Sequence, residues 1–193
     1  MKPRLLITAG SAREGSYNKA LARFAAGRAR AAGAEVTELD LGALGLPLYD
    51  AAIEAAAMPA GALELRRLFA SHQGFIVAAP EYNAFPTPLL INALDWASRP
   101  KAEGEHPAGL VAMAGTAAGM LSASPGALGG LRSQIFLRSF LSVSLGMLVV
   151  PETATVPLAH QAFDEAGGLK DARQVEAVER VLRSVMRSAA VLA

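Results

Sequence analysis

The 193-residue sequence contains no cysteine. Disulfides, thiolate metal sites and cysteine nucleophiles are therefore excluded. An excess of one charge is missing as well: the formal net charge is +1. With no long Lys/Arg cluster, that balance argues against a nucleic-acid surface. Long hydrophobic runs are also scarce. The stretch from Ala108 to Leu131 has no charged residue, but its apolar part stops near Leu121, short of the ~20 residues a membrane span requires. The chain passes from Met1-Lys2-Pro3-Arg4 into a strand too short for a signal-peptide core, so a cytoplasmic protein without a membrane span is expected. His72, His106 and His160 are isolated, with no metal-type residue at ligand spacing, which predicts surface or capping roles and no metal site. Ser122 and Ser124 lack the Gly-x-Ser-x-Gly elbow of a serine nucleophile. Nothing in the spacing brings Glu81 and Asp95 together as a carboxylate pair.

What is present is 52% apolar residues with 18% charged ones, enough for one compact domain over residues 1–193. The stretch from Leu5 to Asn18 organises it. Leu5 to Ile7 reads as a strand buried on both faces, the run breaks at Gly10, and a helical period begins near Asn18. A strand, a small-residue loop and a helix N-terminus direct backbone N–H groups and the positive end of a helix dipole at an anion. Ser11 and Ser16 add hydroxyls, Asn18 an amide, and Arg13 a planar fork of donors suited to phosphate. The alternative is a polar loop in which Ser16 or Asn18 merely caps the helix. Gly10 and Gly15 have Walker A spacing, but Ser16 and Tyr17 stand where Lys and Ser/Thr are required. Gly-x-Gly-x-x-Gly is absent, so a dinucleotide pyrophosphate clamp is not indicated. A single phosphate group fits better.

Further along, a first helix from Asn18 to Ala32 is expected to bury Leu21, Phe24 and Ala25, with Lys19, Arg23 and Arg30 outside. Residues 35–41 alternate as an edge strand. Residues 42–57 have no regular period, and a helix is expected from Pro59. Gly74 to Ala79 is an uninterrupted apolar run, as in a central parallel strand. Pro80-Glu81-Tyr82-Asn83 follows it, then a helix over 89–98 with Leu90, Ala93, Leu94 and Ala97 inward. Either Leu110–Met113 or Thr116–Leu121 fills the fourth strand by apolarity. A helix with Ile135, Phe136, Phe140 and Leu141 as apolar rows runs from Gly130 to Leu145. A last strand, Met147 to Val150, closes at Pro151, and a final helix carries Val175, Val178, Leu182, Val185 and Met186. The alternation predicts an α/β fold, a doubly wound parallel sheet with its ligand beyond the carboxyl ends of the strands.

Three separated motifs carry a family resemblance: Gly10-Ser11-x-Arg13-x-x-Ser16-x-Asn18-x-x-Leu21; Pro80-Glu81-Tyr82-Asn83 leading to Asn92-Ala93-Leu94-Asp95-Trp96; and Ser122-Ala123-Ser124-Pro125-Gly126-x-x-Gly129-Gly130-x-Arg132, with Leu137-Arg138 beyond. In this order they resemble the NADPH-dependent FMN reductases, over most of the chain. Ile91 stands where family members often carry Lys. The resemblance implies a flavodoxin-like five-stranded sheet of order 2-1-3-4-5 and a bound FMN, with NADPH or NADH as co-substrate. Ser11, Arg13, Ser16, Tyr17 and Asn18 are then expected to form the phosphate loop. Pro80, Glu81, Tyr82 and Asn83 would line the ring, and Ser122, Ala123 and Ser124 its other edge. It also makes Thr116–Leu121 the fourth strand, since its carboxyl end must deliver Ser122.

The implied activity is hydride transfer from the nicotinamide to FMN N5, then onward to a small-molecule acceptor in ping-pong exchange. The acceptor would be a quinone, azo compound, free flavin or oxidised metal ion. No side chain need act as acid or base. The alternative is a flavodoxin-type FMN electron carrier without turnover of its own; Arg13 and the near-neutral charge count against it. A homodimer or homotetramer is expected from the resemblance and from surplus apolar residues on the helices at 89–98 and 131–145, including Trp96 and Phe136.

Overall fold

The computed structural model describes residues 2–192. In chain order it comprises β1 (Arg4–Ala9), α1 (Tyr17–Ala31), β2 (Glu35–Asp40), a 3-10 turn (Leu41–Leu44), α2 (Ala51–Ala56), α3 (Ala60–Ser71) and β3 (Gly74–Ala78). Then come β4 (Glu81–Tyr82), β5 (Phe85–Pro86), α4 (Pro88–Ser98), α5 (Gly109–Met113) and β6 (Ala117–Ala123). The chain continues with α6 (Leu131–Ser139), a π-helical turn (Phe140–Ser144), β7 (Leu148–Val156), α7 (Ala159–Ala162) and α8 (Ala172–Leu192).

The sheet is five-stranded and parallel, in the order β2-β1-β3-β6-β7. Its two faces explain the uninterrupted apolar runs. Leu5, Ile7 and Ile76 point to one side, against Leu21 and Ala25 of α1 and Val181 and Val185 of α8. Leu6, Phe75 and Val77 point to the other, against Leu65 and Phe69 of α3 and Leu90 and Leu94 of α4. A strand that alternates between two buried faces has no polar position to spare. The chain reverses its winding direction between β1 and β3, so the loops after those strands part there and leave a crevice.

Most expected elements lie where the sequence placed them, and the exceptions have local causes. Of the two candidates for the fourth strand, Thr116–Leu121 is the one realised, in β6, while Leu110 to Met113 forms part of α5. The stretch expected to be irregular carries the 3-10 turn and α2, the latter capped by Asp50, whose side chain accepts from Ala52 N at 2.7 Å. The last strand does not stop at Pro151 but runs on to Val156. It tolerates proline because β7 is the sheet edge and bulges there: Ala118 faces Val149, yet Met120 faces Thr153. Arg138 holds that bulge, donating to the carbonyls of Val150 at 2.8 Å and Pro151 at 3.2 Å.

The apolar rows assigned to the helix after Gly130 are also corrected. Its buried side is Ser133, Gln134, Leu137 and Leu141, whereas Ile135 and Phe136 are 64% and 46% exposed. Trp96 is fully buried and cannot belong to an interface. Its indole N–H donates to the Pro47 carbonyl at 2.8 Å and its ring meets Tyr49 edge-on. Asn92 completes the same clasp, accepting from Tyr49 N at 2.7 Å and donating to the Pro47 carbonyl at 2.8 Å. The Asn92-to-Trp96 motif thus fastens the crossover segment 46–50 onto α4.

Candidate functional site

Three loops meet at the carboxyl edge of the sheet: 10–16 after β1, the β4–β5 hairpin after β3, and 124–130 after β6. They surround a cavity of about 130 Å³ lined by Ser11, Arg13, Ser16, Tyr17, Asn18, Pro80, Glu81, Tyr82, Ala123, Ser124 and Pro125. Ten of the twelve sequence-predicted site residues are therefore brought together. Asn83 and Ser122 lie off this lining. Asn83 is at the hairpin tip, with φ of 51° followed by 69° at Ala84. Two successive residues of positive φ form the tight turn that suits a two-residue hairpin. Ser122 is completely buried; its hydroxyl donates to the Gly129 carbonyl at 2.6 Å and accepts from Gln134 Nε2 at 2.7 Å. It supports the loop from behind.

The loop after β1 is wired so that its donors remain unspent. Ser11 Oγ accepts from Arg13 N at 3.3 Å, and Ser16 Oγ accepts from Lys19 N at 3.4 Å, as the N-cap of α1. A hydroxyl that accepts still has its proton to give. Capping and anion binding, alternatives when read from sequence, are therefore compatible at Ser16. Asn18, by contrast, has committed its amide. Nδ2 donates to the Ala123 carbonyl at 2.8 Å and Oδ1 accepts from Ala123 N at 2.9 Å, all of it buried. One Nδ2 hydrogen and the Oδ1 of Asn18, a residue expected at the phosphate, are thus spent on positioning: they fix the end of β6 to the start of α1.

Arg13 is exposed, lies with its guanidinium carbon 5.9 Å from the centre of the Tyr17 ring, and pairs with no carboxylate among the described residues. Lys19, though close by, is already neutralised. Its ammonium sits 2.9 Å from Asp40 and 3.4 Å from the Ala12 carbonyl. That bond from Lys19 holds the Asp40 carboxyl below its ordinary value, against a smaller opposing effect of burial.

Glu81 does not point into the cavity with its carboxylate. It accepts from the backbone N–H of Arg132 at 3.0 Å and of Ser133 at 3.3 Å, and pairs with the Arg132 guanidinium. A carboxylate at the first turn of α6 satisfies two orphan donors and meets the helix dipole. The hairpin is thereby locked to α6, with Phe85 stacked on Phe136 at 4.1 Å between centres. Gly130 enters α6 at φ 92°, and a Cβ there would lie 2.8 Å from that of Ser122, so only glycine closes this corner.

Two residues that sequence reasoning passed over complete the frame. Thr87 is buried, and its hydroxyl donates to the Gly10 carbonyl at 2.6 Å, tying the hairpin's exit to the loop after β1. Gln134 is 2% exposed and holds both Ser122 and the Ala154 carbonyl. Thr87 had a sequence signal, since a threonine before Pro88 reads as a helix N-cap, but its hydroxyl is used elsewhere. Gln134 had none. No cluster of metal-type side chains exists among the described residues, and no helix there is long and apolar enough to cross a membrane.

The site fits a flavin phosphate by its donor set: two serine protons, an arginine without a counter-ion among the described residues, and the N-terminus of a 15-residue helix. Comparison with known proteins agrees. The chain is 33% identical over 183 residues to an NAD(P)H-dependent FMN reductase of Pseudomonas aeruginosa, covering 94% of this chain and 92% of that one. It is 35% identical over 189 residues to a probable NADPH:quinone oxidoreductase of Oryza sativa subsp. japonica, covering 94% and 89%. Among solved structures, the flavoenzyme NAD(P)H:(acceptor) oxidoreductase of Paracoccus denitrificans superposes with a TM-score of 0.78 over 98% of both chains, at 22% identity. The family model for NADPH-dependent FMN reductases matches residues 3–161. With three loops converging on a phosphate-type cradle in a flavodoxin-like sheet, and that match spanning most of its length, the chain belongs to the NADPH-dependent FMN reductase family of oxidoreductases.

Proposed function

We propose that this protein binds FMN at the three-loop edge and uses NADPH or NADH to reduce a small planar acceptor, a quinone first among candidates. The observation that carries the reading is the convergence of the three loops on one cavity lined by an arginine that has no anionic partner among the described residues. In this reading Arg13 and the hydroxyls of Ser11 and Ser16 hold the phosphate. Pro80, Tyr82, Ala123 and Ser124 frame the ring, and Asn18, Glu81, Thr87 and Gln134 fix those frames in place. Bound FMN supplies the two-electron redox chemistry. The chain supplies binding, orientation and a fixed opening, and no side chain at the cavity is placed as an acid or base.

Tyr82 is 56% exposed and lines the same cavity as the small residues Ala123 and Ser124, which suits one planar partner stacking there at a time. Nicotinamide and acceptor therefore alternate in one opening, and ping-pong kinetics follow. The rice relative's name includes quinone as substrate, and a flat aromatic acceptor suits a stacking slot. The test is spectroscopic: purified protein carries bound flavin, and NADPH or NADH bleaches it in the absence of oxygen. Steady-state rates with a quinone then give parallel double-reciprocal lines. Protein that binds no FMN, or keeps its colour with both nicotinamides, would refute the proposal.

We also propose a homo-oligomer. Phe85, Ile135 and Phe136 form an exposed apolar face on the hairpin and α6, next to the site. Light scattering is expected to show a multiple of 20.0 kDa at micromolar concentration; a monomer refutes it.

A further inference from the structure

A cavity of about 630 Å³ lies away from the three loops, between α2, α3 and the segment after α4. Met58, Leu63 and Ala55 give it apolar walls, and Arg66, Arg99 and Lys101 line it with positive charge, opposed by Glu54 and Glu103. Within it Arg66 is the anomaly. It is 4% exposed, yet its guanidinium is poorly satisfied. One Nη donates to the Lys101 carbonyl at 2.6 Å. The other is 3.7 Å from the Glu103 carboxylate, which is 78% exposed, and Nε has no partner among the described residues. Both groups that Arg66 reaches belong to residues of the cavity wall, so its head group lies at that wall.

A buried guanidinium with five donors and so little to receive them is costly, and it calls for an anion. Glu103 is a weak counter-ion, being distant and in water, and is displaced at little cost. The other cation with a fixed partner is not the receptor. Arg99 is 3.0 Å from Glu54 and lies 5.5 Å from the centre of the Tyr49 ring. Because it accepts a bond from Tyr49 and from Arg99, Glu54 stays charged, its carboxyl held below the ordinary value.

We propose that this cavity is a binding site for a small organic carboxylate with an apolar body. Arg66 takes the carboxylate through the Nη that now faces Glu103, and Met58 and Leu63 take the body. A volume in the ordinary range for small-molecule sites, roughly 300–1,000 Å³, admits such a ligand whole. Two acidic residues on the wall favour a monoanion over a phosphate dianion, which they would repel. The site is independent of the flavin reading.

Benzoate is the probe, with benzyl alcohol as its uncharged counterpart and inorganic phosphate as the competing anion. Amide chemical shifts of the full chain are followed during titration. Benzoate is expected to give saturable shifts at residues 63–66 and 101–103, with benzyl alcohol at least about tenfold weaker. Phosphate should leave those amides unmoved. Glu103→Gln should tighten benzoate several-fold by freeing Arg66, and Arg66→Met should weaken it about tenfold or more. Ala55→Trp fills the cavity from an exposed position and should abolish binding with Arg66 intact, which covers the case of an Arg66 variant that fails to fold. The proposal is overturned by any of four results: no saturable shifts at these amides, equal binding of benzyl alcohol, stronger binding of phosphate there, or benzoate binding that survives Ala55→Trp.

Discussion

Replacing Arg13 by alanine tests the phosphate loop where its wiring is least redundant. Arg13 is exposed, rests against Tyr17 and pairs with no carboxylate among the described residues. Its removal should therefore leave the fold's stability almost unchanged, as is usual for surface substitutions. A charge-assisted hydrogen bond contributes about 1.5–3 kcal/mol, and solvent at this exposed position screens it toward the lower end. Since about 1.4 kcal/mol is a factor of ten, Arg13→Ala should weaken FMN binding by about tenfold, and by no more than about a hundredfold. Lys19 is not a substitute, because Asp40 and the Ala12 carbonyl hold it in place. Two controls sharpen the reasoning. Riboflavin, which lacks the phosphate, should bind wild type and variant alike, and the FMN difference should shrink as salt rises. Quenching of flavin fluorescence on binding gives both affinities. An unchanged FMN affinity, or an equal loss for riboflavin, refutes the assignment; the second would mean that Arg13 orders the loop without touching the phosphate.

Asn18→Ala should be more damaging than its small volume implies. It strands the buried N–H and C=O of Ala123, at about 1–3 kcal/mol each, so urea unfolding should show a loss of at least about 2 kcal/mol; a loss below half that would mean the loops hold without the amide. His72 makes stability depend on pH. Burial is the main influence on its imidazole and lowers its pKa below the ordinary 6.5, despite the opposing bond to the Leu68 carbonyl. A depressed folded-state value favours the neutral ring. Its contribution is full above pH 6.5 and is lost as pH falls toward the folded value. Urea midpoints should decline on acidification from neutrality, and His72→Asn should flatten that decline; an identical decline in the variant refutes the role of His72.

The architecture was legible because its signals are local. Leu5 to Ile7 and Gly74 to Ala79 read as buried parallel strands from apolarity alone, and Gly10 marked the loop between β1 and α1. The phosphate-type donors Ser11, Arg13 and Ser16 announced themselves by residue type. What the sequence hid was the partner choice of polar groups across long separations. Asn18 looked like a ligand because an amide beside serines is chemically suited to phosphate; that it reaches Ala123 instead depends on a strand 105 residues away. Thr87, unread in the sequence, serves the Gly10 carbonyl. Gln134, inside a helix, carried no pattern to separate it from a surface residue. Proline at 151 reads as a stop only if its strand is interior, and the edge position of β7 removes that penalty. Trp96 and Phe136 looked alike as surplus apolar residues; the Pro47 carbonyl and Tyr49 help cover one, while the other stacks on Phe85 and stays 46% exposed.

The Asn18–Ala123 clasp also bears on the order in which the protein can mature during synthesis. The first eighteen residues hold almost every donor proposed for the phosphate, yet they are braced by Thr87 from one side and Ala123 from the other. A nascent chain that has just released its N-terminal third carries the donors without the braces. Closing a loop of 105 residues costs chain entropy that β6 repays only once it has paired with β3. If FMN binds at these loops as proposed, its capture on the ribosome waits until β6 has left the exit tunnel. Truncated products that end before Ala123 should leave the ribosome without cofactor, however intact their amino-terminal motif.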